Sequence, residues 1–332
     1  MKILFLILFL CSCSGNPFDK DNKPEEPVVP KPQQLKNKRI DYLVRGEAHV
    51  LDEYGAISRG NGMLWSCLKH AAGGRGVQWR KFHKEGHPYW MIRSRHYEPE
   101  NVGKPGVMWS WYSADEVVGE LTCVWTDQDL EWLENRIEWL EANDWDVCGG
   151  REYADSYTTW LGRCKMKANL KATYYEILYR LGGANHRSER ARPQIWNPKA
   201  TGVSAHLTVL QFLLRGIMMD GINDLQIDFL RSRKQKNPGN SLYHCAYHLF
   251  TDQEMDVGIS QLLGSVRFPN GRLPNSTDKR CTHYLFQREQ YIDDKLNKDW
   301  KSCPEVDPFE EYHGVDLAFA ASVCLGDVYM RD

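Results

Sequence analysis

The sequence predicts an all-α protein whose helices pair and close into an α/α toroid. Three observations carry that expectation. Apolar residues recur at helical spacing in about ten separate segments after residue 39, and Gly, Pro or Asn turns separate them. Alternation of the β type is scarce, with Tyr89 to Ile92 the best short stretch. No fixed sequence period recurs, which argues for a closed ring of hairpins over an open solenoid.

The helical segments follow in order. Met63, Leu64, Cys67, Leu68 and Ala71 form one face, stopped by Gly73 and Gly74. Val117, Val118, Leu121, Val124 and Trp125 form the next, with Ser113 and Glu116 spaced as a capping box before it. Leu130, Leu133, Ile137 and Leu140 make a third stripe, expected to open at Thr126 and close near Asn143. Ala168 to Leu181 is a fourth, ended by Gly182. Ala205 to Met219 is apolar enough to be enclosed, and Leu225 to Arg231 is its expected neighbour. Leu242 to Phe250 follows Pro238 and Gly239. The spacing of Thr251 and Glu254 then caps a helix carrying Met255, Ile259, Leu262, Leu263 and Val266. Gly314 introduces the last segment, Val315 to Tyr329.

The first residues carry an address. Lys2 precedes an apolar run from Ile3 to Leu10. Eight residues make a helix of roughly 12 Å, short of a hydrocarbon core about 30 Å thick, so the run reads as the core of an export signal. Leu10, Cys11, Ser12 and Cys13 follow, and they resemble a bacterial lipobox. That resemblance implies removal of residues 1–12, diacylglycerol on Cys13 and a membrane partner through that lipid. Ser14 in the next position favours the outer membrane. Residues 13–38 hold five prolines among charged and amide residues, too polar to offset their ordering entropy, and read as a spacer ahead of a body at 39–332.

Charge and cysteine usage narrow the function. Lys and Arg total 42 against 44 Asp and Glu, so no excess of positive charge points to nucleic acid. Eight of the ten cysteines lie in the body, an even number that an oxidising compartment would permit to pair. Cys67, Cys123, Cys245 and Cys324 fall in apolar helical patterns and read as buried thiols, whereas Cys281 and Cys303 flank a polar stretch and are the first pair to test.

Acidic residues at expected helix starts are the candidate catalytic groups: Asp115 first, with Asp52 and Asp316 as partners. Glycoside cleavage needs two carboxyls about 5 Å apart for retention or about 6.5–9.5 Å for inversion. Helix capping alone accounts for acidic residues at the same positions. Trp109, Trp111 and Tyr112 precede the Asp115 helix, and with Trp79 and Trp90 they form an aromatic set that could line a sugar groove or pack internally. Arg93, Arg95 and His96 would supply polar partners to sugar hydroxyls. His244 and His248 share a helix face, but no third ligand or intervening Glu accompanies them, and no metal or other cofactor is expected. His83 and His87 adjoin Pro88 and should not be helical. The basic runs Arg187 to Arg192 and Arg231 to Lys236 read as solvated loops.

Several stretches are similar to those of exported bacterial α/α-toroid proteins related in shape to six-hairpin glycosidases. These are Gly60 to Trp65, Trp109 to Gly119, Arg267 to Pro274, and His313 to Asp316. The likeness spans most of residues 40–332. It implies a toroid body, and together with the aromatic set and the acidic helix starts it makes a carbohydrate polymer the expected partner, bound or, if the protein is catalytic, cleaved by hydrolysis or elimination. The alternative is a surface lipoprotein without catalysis that binds a glycan or a protein.

Overall fold

The computed structural model describes residues 29–48, 50, 52–57, 62–92, 112, 114–147, 165–182, 205–236, 240–251, 255–264 and 314–329. The chain divides into Met1–Pro30 and Lys31–Asp332, and every helix below belongs to the second unit. The described residues are mostly helical and contain no strand. Tyr89 to Ile92 contributes only one isolated bridge, between His83 and Met91.

Ten α-helices occur among the described residues. They are α1 (Lys31–Glu47), α2 (Gly62–Ala71), α3 (Ala114–Asp127), α4 (Leu130–Ala142) and α5 (Ala168–Arg180), then α6 (Ala205–Met219), α7 (Asp224–Lys236), α8 (Ser241–Leu249), α9 (Asp256–Gly264) and α10 (Val315–Leu325). A 3₁₀ turn at Trp79–Lys81 follows α2. No helix among the described residues is long and apolar enough to cross a membrane.

Burial sorts the helices into two kinds. α10 is buried along Val315 to Cys324, and α2, α3, α5 and α8 are buried on nearly every side. α6 likewise buries Leu207 to Leu214 without a break. A helix apolar all round must be enclosed by others. α1, α4 and α7 bury one stripe and expose the rest: α1 encloses Leu35 and Tyr42 while Ile40 and Val44 face out.

The enclosed helices run in one direction. Gly119 of α3 lies against the backbone of Met63 and Leu64 near the start of α2. Cys67 bonds to Cys123 at mid-helix, and His70 meets Asp127 at the far ends, so α2 and α3 are parallel. α4 doubles back on α3 through a turn at Gln128, where φ is 52°. α5 doubles back again, because Met166 bonds to the carbonyl of Trp145. Asn169 meets Gln211, and Glu176 acts electrostatically on Arg215, which makes α6 parallel to α5. α7 returns along α6, with Phe212 against Phe229, and a short connection starts α8 in the direction of α6. Arg39 to Asp327 and Gly314 beside Tyr42 set α1 antiparallel to α10. Lys31 to Asp256 and the Tyr42 hydroxyl to the Leu262 carbonyl set α9 parallel to α1. At their C-terminal ends α10 and α2 are joined by Tyr329 N–H donating to the Ala71 carbonyl. α2 packs on α3 and α10, α3 on α5 and α6, α6 on α5 and α8, and α8 on α10.

Four expectations are corrected. α1 starts at Lys31, inside the stretch expected to be spacer. Proline is compatible with a first helical turn, and burial of Leu35 and Tyr42 supplies the apolar contact that the polar composition concealed. Thr126 does not open α4; its hydroxyl bonds the Thr122 carbonyl inside α3, and Asp129 caps α4 by accepting from Trp132 N–H. Cys67, Cys123, Cys245 and Cys324 are buried but are not thiols. They form the disulfides Cys67–Cys123 and Cys245–Cys324, because parallel neighbours bring each pair face to face. Arg231 to Lys236 is the last part of α7 and not a loop, and Lys234 lies 4.1 Å from the centre of the Tyr247 ring. Cys281, Cys303 and Arg187 to Arg192 lie outside the described residues.

Candidate functional site

Parallel enclosed helices place their N-termini at one end of the body. Each carries partial positive charge from unpaired amides, so carboxylates gathered there are stabilised electrostatically. Two of the three acidic candidates begin such helices. Asp115 lies half-buried in the first turn of α3, next to the buried Glu116. Asp316 lies in the first turn of α10, 1% exposed, and accepts the Leu317 N–H at 3.0 Å. Its charge is felt by Tyr42. That phenol is pushed above its ordinary range chiefly by burial, opposed by Arg45 and reinforced by Asp316 and Asp41.

Asp52 is held in a turn of its own ahead of α2. Its Oδ1 accepts from Tyr54 N–H at 3.0 Å and Ala56 N–H at 3.1 Å, which closes a turn. That turn docks Gly55 against Gly76 and Ile57 N–H against the Ser66 hydroxyl, alongside the second half of α2. Tyr112 is 3% exposed and joins a buried cluster beneath the start of α3. Trp109, Trp111, Arg93, Arg95, His96 and Cys13 lie outside the described residues. Trp79 and Trp90 are buried packing elements: Trp79 meets Trp132 edge-on at 4.5 Å, and Trp90 stacks on Trp139.

The cluster under Tyr112 was not legible in the sequence. Glu120 and Arg136 are both fully buried. Glu120 Oε1 accepts from Arg136 Nε at 2.9 Å and from the Tyr174 hydroxyl at 2.5 Å. Oε2 accepts from Arg136 Nη2 at 3.1 Å and from the Tyr112 hydroxyl. The remaining guanidinium nitrogen, Nη1, donates to the Tyr89 carbonyl. Burial and the neighbouring Glu120 charge hold both phenols well above their ordinary range, so they remain donors. Four donors occupy the lone-pair directions of the carboxylate. Its role is to lock Tyr112, α4 and α5 onto α3. The one sequence signal was Glu120 placed between Val118 and Leu121, within the apolar stripe of the α3 segment.

A second polar cluster sits at the opposite end of α2 and α3. Asp127 receives His70 Nε2 at 2.7 Å, Trp79 Nε1 at 2.8 Å and Arg80 Nη2 at 2.9 Å. Burial alone would raise its pKa. The bonds from His70 and Trp79, with the charges of His70 and Arg80, overcome that and bring it to about 2. Arg80 also pairs with Asp129, so the cluster clamps the α3–α4 turn onto the segment after α2. His83 and His87 lie in non-helical chain, as expected. No group of three or more metal-ligating side chains occurs among the described residues.

No family model, curated protein or solved structure matches this chain.

Proposed function

We propose that the chain is a lipid-anchored protein of the bacterial envelope whose helical body closes as an α/α toroid. In this reading it acts on a carbohydrate polymer at the end where the helix N-termini gather. The observation that carries the reading is that Asp115 and Asp316, chosen from sequence as acid–base candidates, begin two of the parallel enclosed helices. The contacts of α2 with both α3 and α10 support ring closure, since they link early and late parts of the body. Two disulfides support export, because such bonds persist in oxidising compartments. Cys13 would hold the lipid and residues 14–30 would act as the spacer.

Chemically, for hydrolysis one carboxyl would protonate the leaving oxygen while the other, ionised, takes a proton from the water that bonds to the anomeric carbon. For elimination the ionised carboxyl would abstract the proton α to a uronate carboxyl as the glycosidic oxygen at the β carbon leaves, protonated by the first. Trp109 and Trp111 precede Asp115 closely enough in sequence to supply the aromatic face of a sugar site, whereas the buried Tyr112 packs beneath the start of α3. A screen of polysaccharides for reducing-end release and for unsaturated products tests the activity. Asp115→Asn should abolish turnover while leaving the thermal midpoint within about 2 °C. A lower midpoint with no activity on any polymer would mark Asp115 as a cap and reject the catalytic reading. Cys13→Ser should move the protein from the membrane fraction to the soluble one.

A specific observation favours the non-catalytic alternative. Asp316 is almost wholly enclosed, and its Oδ1 accepts from the Leu317 N–H of its own helix, which points to a structural role. Glycan-array binding without turnover would select that alternative.

A further inference from the structure

The enclosed helix α8 carries two imidazoles one turn apart, and their surroundings differ from those of the two carboxylate clusters. The rings of His244 and His248 lie nearly parallel, 18° between planes, with centroids 6.3 Å apart. His248 is 6% exposed, yet neither Nδ1 nor Nε2 has a hydrogen-bond partner among the described residues. A buried imidazole that bonds nothing loses about 1–3 kcal/mol of hydration per polar group without return, and native proteins resolve such groups with a water or an ion. Cys245 on the same helix is committed to its disulfide and supplies no sulfur ligand.

We propose that His244 and His248 form a two-imidazole site for a borderline transition-metal ion of the Cu²⁺, Ni²⁺ or Zn²⁺ class, with water completing the coordination. Nitrogen-to-metal distances of about 2.0–2.1 Å require the two rings to converge slightly from the separation seen, and rotation about the side-chain bonds supplies this. The choice of ion follows from the donors. Imidazole nitrogen suits these ions, whereas Ca²⁺ and Mg²⁺ require carboxylate and carbonyl oxygen. The positive charge of Lys234 opposes every divalent ion alike, so the selection rests on the imidazole donors. The Lys234 ammonium itself rests over the Tyr247 ring at 4.1 Å. This departs from the sequence expectation of no metal, which rested on the absence of a third ligand.

The test is titration of the intact chain, without affinity tag, with Cu²⁺ and separately Zn²⁺ at pH 7.5. One equivalent of Cu²⁺ should bind with an electron paramagnetic resonance spectrum showing splitting from two nitrogens. Zn²⁺ should raise the thermal midpoint. His248→Ala and the half-buried His244→Ala should each weaken that equivalent by at least about tenfold. His244→Ala provides the control against misfolding, because its ring is the more accessible of the two. Equal binding by wild type and both variants would assign the ion to other histidines and overturn the proposal. Absence of any bound equivalent would overturn it as well, and would leave an internal water as the partner of His248.

Discussion

Replacing Glu120 by Gln isolates the energetics of the buried cluster. The substitution keeps shape and volume but removes the charge and turns one oxygen into an NH₂. Oε1 can still accept from Tyr174 and Arg136 Nε, whereas the new amide nitrogen faces Arg136 Nη2, donor against donor. Arg136 is fully enclosed, so its charge would have no counterion and no water. Breaking a buried pair from one side costs about 3–5 kcal/mol. Tyr112→Phe and Tyr174→Phe each delete one hydrogen bond to a charged acceptor and should cost about 1.5–3 kcal/mol. Since both phenols donate to the one Glu120 carboxylate, their costs should depart from additivity by about 0.5 kcal/mol or more. Urea unfolding of the three single variants and the tyrosine double variant measures all of these. A Glu120→Gln protein within about 0.5 kcal/mol of wild type would behave like a surface substitution and refute the account.

Three further outcomes follow from the geometry. Removing Cys245–Cys324 as a double Ala variant should cost about 4 kcal/mol, because the bond closes a separation of 79 residues in the unfolded chain; non-reducing peptide mapping should recover it and Cys67–Cys123 from the wild type. Asp127 is depressed from 3.8 to about 2 in the folded state, so its contribution of about 2 kcal/mol is complete above pH 4 to 5 and fades as pH falls towards about 2. Asp127→Asn should therefore flatten the acid limb of the stability curve, and an unchanged limb in acid-unfolding titrations would contradict the clamp. Gly119→Ala would bring a methyl within 2.5 Å of the Leu64 Cα, backbone that cannot yield, and should cost more than about 2 kcal/mol by thermal unfolding.

Legibility differed between helix and site for a physical reason. The stripe Leu130, Leu133, Ile137 and Leu140 marked α4 because side chains three and four apart share a face whatever surrounds them. Ala205 to Met219 was read to its observed bounds for the same reason. The start of α4 was misplaced because Thr126 and Asp129 are both competent caps, and only the turn at Gln128 chooses between them. Asp115 was legible as a first-turn carboxylate, but the partner offered for it, Asp52, closes a turn beside α2 instead.

By itself the sequence determined the helical class and nearly every helix described in the body, since these depend on contacts within a few residues of chain. Tertiary structure alone decided that Cys67 meets Cys123 and Cys245 meets Cys324, that Glu120 holds Arg136 and two tyrosines, and that Asp115 and Asp316 begin parallel helices. Each of those depends on groups far apart in the chain, whose approach is set by how whole helices pack and leaves no local pattern to read.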